Sequence, residues 1–355
     1  MRMIEKIIYM DHPNISITGG HKYNDAFEEY LQELSGTTIQ NEPQLSGLYH
    51  GWRHLFSPFF EIRRLRRLNK NSIVFWGDDK VKYHLLLICL SKFVRRTRNV
   101  FIIHHFPYLG YLGIKQIFWK AILKMYYSFG DYIVVPSPFT LDVAKKFLPN
   151  KKIVYVPLPF ERIYSPSKNF EKGNLLYVGT VEPRKGLIYL LEAMHLFSLR
   201  SDMHLKLNVI GKVVDEQYKK ELDYYVKIYS LDVRFWGRVT NEQLDDCYKN
   251  AEVFTFPSLL EGFGIVLVEA MQRGLPIVCF DNTAMPYSII DGYNGYLAKN
   301  KDADDFCNKL LKICGCIDNR ECIQNGIKES ISKMKNIDDF RAGVKSFFEI
   351  LENEE

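Results

Sequence analysis

Leu259-Leu260-Glu261-Gly262-Phe263-Gly264-Ile265-Val266-Leu267-Val268-Glu269-Ala270-Met271 lies between a Pro257-Ser258 turn and a Gly274-Leu275-Pro276 break. The stretch reads as strand end, glycine-bearing turn and helix, with the helix expected over Phe263 to Gln272. A helix that starts on small residues offers unpaired backbone N–H groups and the positive end of its dipole, which suits phosphate oxygens. Glu261 stands at the mouth of that start and Glu269 eight residues on. At 1.5 Å per residue the two are roughly 12 Å apart along a helix axis. That is about the span from a sugar across a diphosphate to a ribose, and carboxylates accept hydrogen bonds from sugar hydroxyls. Taken singly, each Glu is better explained as a dipole partner, a cap or a solvated side chain; the combination is what argues for a site. The apolar run around Glu269 argues for partial burial, and a buried carboxylate requires a partner.

The same alternation of strand and helix runs along the whole chain. Apolar runs at Ile7 to Met10, Ile73 to Trp76, Val100 to Ile103, Tyr132 to Val135 and Ile153 to Val156 read as strands. Helical patterns fall at Tyr23 to Leu34, Tyr83 to Phe93, Ile114 to Tyr127 and Thr140 to Phe147. Pro157-Leu158-Pro159 and Ser165-Pro166-Ser167 mark a linker. A second series follows. Its strands are Leu175 to Val178, Leu205 to Ile210, Val233 to Trp236, Val253 to Phe256 and Ile277 to Phe280. Its helices are Leu187 to Leu196, Gln217 to Tyr229, Glu242 to Lys249, Phe306 to Ile313 and Phe340 to Leu351. Such alternation implies an α/β protein with two parallel, doubly wound sheets facing a cleft. The expected division is 1–157, 158–335 and a last helix in 336–355.

With 355 residues, 47% of them apolar and 14% aromatic, the chain can build two cores. The first residues run straight into a strand, so no leader is expected. The longest apolar runs fall short of the ~20 residues that a membrane-spanning helix needs. Seven cysteines without a regular framework fit a reducing compartment. The net charge of +5 conceals a strong asymmetry. Arg53 to Lys124 carries fifteen Lys/Arg against three acids, a local +12, and the remainder of the chain is about −7. Phe59, Phe60, Leu65 and Leu68 interleave with Arg63, Arg64, Arg66 and Arg67. Ile114 to Phe129 mixes Phe118, Trp119 and Ile122 with Lys115, Lys120 and Lys124. Basic and apolar residues in this mixture suit an anionic membrane interface, or equally a solvated face on a core helix.

Further chemistry sits at strand ends. Gly19-Gly20 precedes the first helix and lets a ligand approach the backbone; it is not a dinucleotide fingerprint. His104 and His105 follow the Val100 to Ile103 strand, where an imidazole can bind a hydroxyl or shuttle a proton. Gly179-Thr180-Val181-Glu182-Pro183-Arg184-Lys185-Gly186 brings two cations to a helix start, where they oppose the dipole unless an anion is bound. Arg184 can fork onto phosphate oxygens and Lys185 can act as a point charge. Asp302-Ala303-Asp304 has the letters of a metal-binding pair, but its place at a helix start is better read as an N-cap. No metal is expected.

Three stretches resemble the retaining glycosyltransferases of the GT-B fold, family 4 in the usual sequence classification. They are Tyr177 to Leu187, with its Gly-x-x-x-Pro-x-Lys-Gly loop, Phe254 to Pro276, with its Glu-x7-Glu segment, and Asp291 to Leu297. The resemblance implies that the second domain holds a nucleotide sugar, such as a UDP- or GDP-sugar, and that the first domain holds the acceptor. It implies that Glu261 contacts the donor sugar's hydroxyls, Glu269 the ribose, and Arg184 and Lys185 the diphosphate. The backbone of Phe263, Gly264 and Ile265 would lie near the phosphates, and Gly237-Arg238-Val239 against the base. Gly19 and Gly20 would close over the phosphates, and His104 would stand near the transferred sugar. It implies retention without a metal or other cofactor, and a last helix that crosses back onto the first domain. Two positions depart from the family pattern. Thr180 stands where an arginine is common, and the linker reads Pro157-Leu158-Pro159-Phe160.

The expected activity is transfer of a sugar to a hydroxyl of a saccharide or lipid-linked saccharide in bacterial surface polysaccharide synthesis. The expected location is the cytoplasm, with peripheral binding at the inner membrane face through the basic 53–124 region left open. A nucleotide-sugar epimerase of the same fold is the alternative, against which the Glu-x7-Glu pair argues. A nucleic-acid-binding protein would leave Arg184, Lys185 and Glu261 without a role, so no nucleic-acid partner is expected.

Overall fold

The computed structural model describes residues 6–10, 19–36, 39–41, 68, 70–77, 88–167 and 169–353. Arg63 to Arg67, the densest part of the basic block, lie outside the described residues. The chain divides into two compact units, residues 1–161 with 335–355, and residues 162–334.

The first unit contains β1 (Lys6–Met10), α1 (Gly19–Ser35), β2 (Gln40–Asn41), β3 (Ser72–Gly77), β4 (Arg98–Ile102), α2 (Gly113–Ser128), β5 (Tyr132–Val135), α3 (Pro138–Phe147) and β6 (Lys152–Tyr155). Its strands pair in parallel in the order β2-β1-β3-β4-β5-β6. β5 reads Tyr-Ile-Val-Val and is buried along its whole length, as a strand covered on both faces must be. α3 starts sharply because Ser137 accepts the Thr140 N–H at 3.0 Å, Thr140 returns the bond to the Ser137 N–H at 3.2 Å, and Pro138 presets the first turn. Phe101, Phe106, Tyr126, Tyr127 and Phe147 form a core cluster. A second aromatic group is completed by the C-terminal helix, Ile337–Asn353, whose Phe340 and Phe347 pack on Tyr23, Phe27, Phe75 and Tyr132. Of the helix expected over Tyr83 to Phe93, residues 88–93 are described and all are helical: 88–90 are α-helical and run into a wider π-type turn, Ser91–Arg95.

The second unit contains β7 (Asn174–Val178), α4 (Leu187–Ser198), β8 (Lys206–Ile210), α5 (Glu216–Ile228), β9 (Asp232–Gly237), α6 (Asn241–Asn250), β10 (Val253–Phe256), α7 (Ile265–Gln272), β11 (Ile277–Asp281), β12 (Tyr296–Lys299), α8 (Ala303–Ile313) and α9 (Ile317–Lys333). Its sheet is also parallel, in the order β12-β11-β10-β7-β8-β9. The chain moves outward from β7 through β8 to β9, then returns to β10 on the other side of β7. The strand order therefore reverses between β7 and β10. In open α/β sheets such a reversal leaves a crevice beyond the carboxyl ends of the two strands, because their loops depart in opposite directions. Asp302 caps α8 by accepting the Asp305 N–H at 2.9 Å.

Candidate active site

The loops that leave β7 and β10 meet at this reversal. Gly186 makes their close approach possible. Its φ of +66° is left-handed, and a Cβ there would stand 2.1 Å from the Pro257 carbonyl oxygen. The Leu259 N–H donates to the Arg184 carbonyl at 2.9 Å, fastening one loop to the other. Gly186→Ala is expected to lower stability by about 2–4 kcal/mol through left-handed strain and the clash with Pro257. A denaturant midpoint equal to that of the unsubstituted protein would contradict it.

The fastening brings Arg184, Lys185 and Glu261 together. Lys185 Nζ donates to Glu261 Oε1 at 2.5 Å, and the Ser258 hydroxyl donates to the same oxygen at 2.7 Å. Arg184 Nη1 lies 3.6 Å from that oxygen and donates to the Leu260 carbonyl at 2.9 Å. Arg184 Nη2 donates to Glu182 at 2.8 Å, and the Thr180 hydroxyl donates to the same carboxylate at 2.7 Å. Thr180, which stands where an arginine is common in the family pattern, is thus part of the arrangement that orients Arg184. Lys185 is only 9% exposed, and its ammonium sits 5.3 Å from the Phe256 ring centroid. Burial pushes the Glu261 carboxyl upward, but Lys185, Arg184 and the hydrogen bonds outweigh burial and hold it below its ordinary value. Two carboxylates and two cations balance in formal charge. Much of the donor capacity is still uncommitted by these bonds, since a guanidinium offers five N–H groups and an ammonium three.

α7 begins at Ile265, two residues later than the sequence implies. Gly264 has φ +81° and serves as its N-cap, so Phe263 and Gly264 belong to the preceding turn. The estimate of the Glu261–Glu269 separation along one helix axis does not apply, because Glu261 is not helical. No side chain caps α7 and no acid occupies its first turn, which leaves the positive end of its dipole uncompensated by side chains. Glu269 is half-buried on α7 and accepts the Tyr248 hydroxyl at 3.2 Å. Burial, then the Glu269 charge, raises the Tyr248 phenol well above its usual range, so it remains a donor.

Gly237 ends β9 at the sheet edge and Arg238 and Val239 follow it, Arg238 exposed and Val239 half-buried. The loops after β7, β8 and β9 are laced by Gly179 N–H to the Ile210 carbonyl at 2.9 Å and Gly211 N–H to the Gly237 carbonyl at 2.8 Å. In the first unit, α1 starts at Gly19, and a Cβ on Gly20 would stand 3.2 Å from the His104 ring. His104 Nε2 and Asn24 Oδ1 are 2.9 Å apart, and the Tyr23 ring meets the imidazole edge-on at 5.4 Å. Among the described residues, no group of three or more His, Cys, Asp or Glu is placed to hold a metal ion.

Sequence reasoning does not assign Ser258, Glu182, Tyr248, Asn24 or Thr283, whose hydroxyl accepts the Glu261 N–H at 3.2 Å. Only Ser258 carried a signal, its Ser-x-x-Glu spacing to Glu261. Glu182 pairs within its own loop, with Thr180 and Arg184 two residues to either side; Tyr248, Asn24 and Thr283 reach their partners through tertiary packing.

The sequence profile described as glycosyl transferases group 1 matches residues 162–347. The chain belongs to this family and is a glycosyltransferase. It is similar to an uncharacterized glycosyltransferase of Methanocaldococcus jannaschii, with 26% identity over 92% of this chain and 88% of the relative. It is similar to the Campylobacter jejuni α-1,4-N-acetyl-D-galactosaminyltransferase that acts on a GalNAc-containing, diphosphate-linked undecaprenol saccharide. There the identity is 25%, over 70% of this chain and 66% of the relative. Among solved structures, HepE of Anabaena in complex with UDP and glucose superposes with a TM-score of 0.76, covering 97% of this chain and 99% of that one at 14% identity. Sucrose-phosphate synthase of Thermosynechococcus elongatus superposes with a TM-score of 0.79, covering 98% of each chain at 16% identity. These likenesses identify the fold as GT-B.

Proposed function

We propose that this glycosyltransferase moves a sugar from a nucleoside diphosphate sugar to a hydroxyl of a saccharide or lipid-linked saccharide, with retention of anomeric configuration and without a metal. The observation that carries the reading is the pairing of Lys185 and Arg184 with Glu261 at the strand-order reversal. A diphosphate bound there meets two cations and the start of α7, which together supply the positive charge that a metal brings elsewhere. Glu261, ionised at neutral pH, accepts hydrogen bonds from the sugar hydroxyls. Glu269, oriented by Tyr248, accepts them from the ribose. The base lies against Arg238 and Val239, and His104 binds a sugar hydroxyl near the Gly19-Gly20 helix start.

In the step itself, the bond from the anomeric carbon to the diphosphate oxygen breaks as a bond to the acceptor oxygen forms. The acceptor's proton passes to the departing diphosphate, whose charge Arg184 and Lys185 stabilise. Glu261 is a binding group in this scheme and forms no covalent intermediate. The Campylobacter relative's lipid-linked acceptor supports an acceptor of that class, and an acceptor carried on a lipid supports work beside a membrane.

A thermal-shift series with UDP- and GDP-sugars tests the donor. A true donor at 100 times its Kd raises stability by about 2.7 kcal/mol. No shift with any nucleotide sugar or nucleoside diphosphate would refute the donor site. Transfer should survive EDTA, and its abolition would overturn the metal-free scheme.

A further inference from the structure

α2 is apolar on two opposite sides. Leu123, Tyr126 and Tyr127 are buried, and Trp119 and Ile122 pack beside them against the core of the first unit. The outer side carries Ile114 at 86% exposure, Ile117 at 69%, Phe118 at 59% and Met125 at 47%, together with exposed Ala121. The spacing i, i+3, i+4, i+7, i+11 confines these five to a stripe about 100° wide at 100° per residue. Leu112, 83% exposed, leads into it. A helix side that is apolar is ordinarily covered; of the two apolar sides of α2, one is covered.

Charge says what covers the outer stripe. On the same wheel Lys115 falls about 100° to one side of Ile114, and Lys124 and Lys120 about 80° and 120° to the other, so lysines flank both edges. α2 contains no acid, and neither Asp nor Glu occurs between Asp79 and Asp131, a span that carries nine Lys/Arg. A shallow apolar stripe with lysines on its edges suits the boundary between headgroups and acyl chains. The apolar side chains enter, and the lysine stems run along the surface with their ammonium groups among anionic headgroups. A protein partner fits less well, since lysine is depleted from protein interfaces. Phe93 and Val94, 69% and 64% exposed, stand near the end of α2 beside Arg95 and Arg96, and the Phe93 ring meets Phe129 edge-on at 5.9 Å. This second apolar and basic pair extends the same chemistry.

We propose that the outer face of α2, centred on Ile114, Ile117 and Phe118 and edged by Lys115, Lys120 and Lys124, docks onto an anionic lipid bilayer. The inference deepens the reading of a lipid-linked acceptor by naming the surface that meets the membrane. It can fail while that reading stands.

Flotation of the full chain with phosphatidylcholine vesicles, with and without phosphatidylglycerol, provides the test, with no sugar nucleotide or acceptor present. The protein is expected to float with the anionic vesicles at low salt and to lose most of its binding at high salt. The double substitution Ile117→Ser with Phe118→Ser is expected to weaken binding by at least about tenfold, since each buried apolar side chain contributes to partitioning. Lys120→Ala should weaken it by about fivefold, as one basic residue near an anionic surface is worth ~1 kcal/mol. All these side chains are exposed, so unchanged thermal unfolding of each variant checks the fold. No binding to anionic vesicles, or equal binding by the serine variant, overturns the proposal. So does a self-association that the serine substitutions dissolve, because the stripe would then be an interface between copies of the chain. Transfer to a soluble acceptor should not change in the serine variant, which separates membrane docking from the donor chemistry of the second unit.

Discussion

Lys185→Ala is expected to lower kcat by about 10²–10³, the usual cost of removing one group that stabilises developing charge on a leaving group. The residue is nearly buried and its ammonium is bonded to Glu261 at 2.5 Å. Its loss removes a diphosphate contact and also leaves Glu261 in a low-dielectric pocket with Arg184 3.6 Å away and the Ser258 hydroxyl. Breaking a buried ion pair from one side costs ~3–5 kcal/mol, and the remaining partners should reduce that to about 2–3 kcal/mol of stability. The pH dependence separates the two effects. Glu261 is held below its ordinary value of 4.5 in the folded protein, so its stabilising contribution is present above that pH and is lost as pH falls through the folded value. In Lys185→Ala the nearer of the two cations beside Glu261 is gone. The stability gap between the two proteins should therefore be widest near neutrality and should close as pH falls below 4.5. Retention of full transfer activity would remove Lys185 from the donor site. A gap that stays constant with pH would show that the pairing with Glu261 is not its source.

The residues that can be read from the chain and those that cannot differ in a physical way. The α/β class follows from apolar runs such as Tyr132 to Val135 and Val253 to Phe256. A strand covered on both faces must be apolar throughout, and that is a property of its own residues. β2 has only two residues, too few to show a period. α9 escapes sequence reading because Gly326 interrupts it, which propensity counts against a helix. Its purpose is tertiary: a Cβ at Gly326 would lie 2.0 Å from the Tyr293 carbonyl, so glycine lets the helix press against the preceding turn. The start of α7 moved for a similar reason, because the left-handed backbone of Gly264 follows from the path of the turn. At the site, Lys185 and Glu261 can be singled out because each is a charge in an otherwise apolar or glycine-rich setting. Tyr248 carries no such mark. It matters because the fold sets α6 beside α7, which places a phenol next to Glu269.

Phe347→Ala is expected to destabilise the first unit by about 3–5 kcal/mol, the range for truncating a buried phenylalanine. Phe347 is fully buried. Its ring centroid lies 5.5 Å from that of Tyr132 and 6.4 Å from those of Phe27 and Phe75, so one side chain joins α1, β3 and β5 to the C-terminal helix. Rigid rings on several elements cannot collapse readily into the space, which argues against the low end of that range. Against a domain stability of about 5–15 kcal/mol, the loss is a large fraction of the total. Hydrogen exchange locates the effect. Amides of α1, β1, β3 and the C-terminal helix should lose protection by about 10²–10⁴-fold, as ~3–5 kcal/mol implies near 25 °C. Those of β7, β8 and β10 should retain theirs. Ile350→Ala on the same helix, where the side chain is 38% exposed, should cost within about 0.5 kcal/mol. Equal effects of the two substitutions would mean that the helix contributes through its own helicity and not through the aromatic packing of Phe347. That outcome would remove Phe347 as the element joining the C-terminal segment to a sheet whose strands all lie before residue 156.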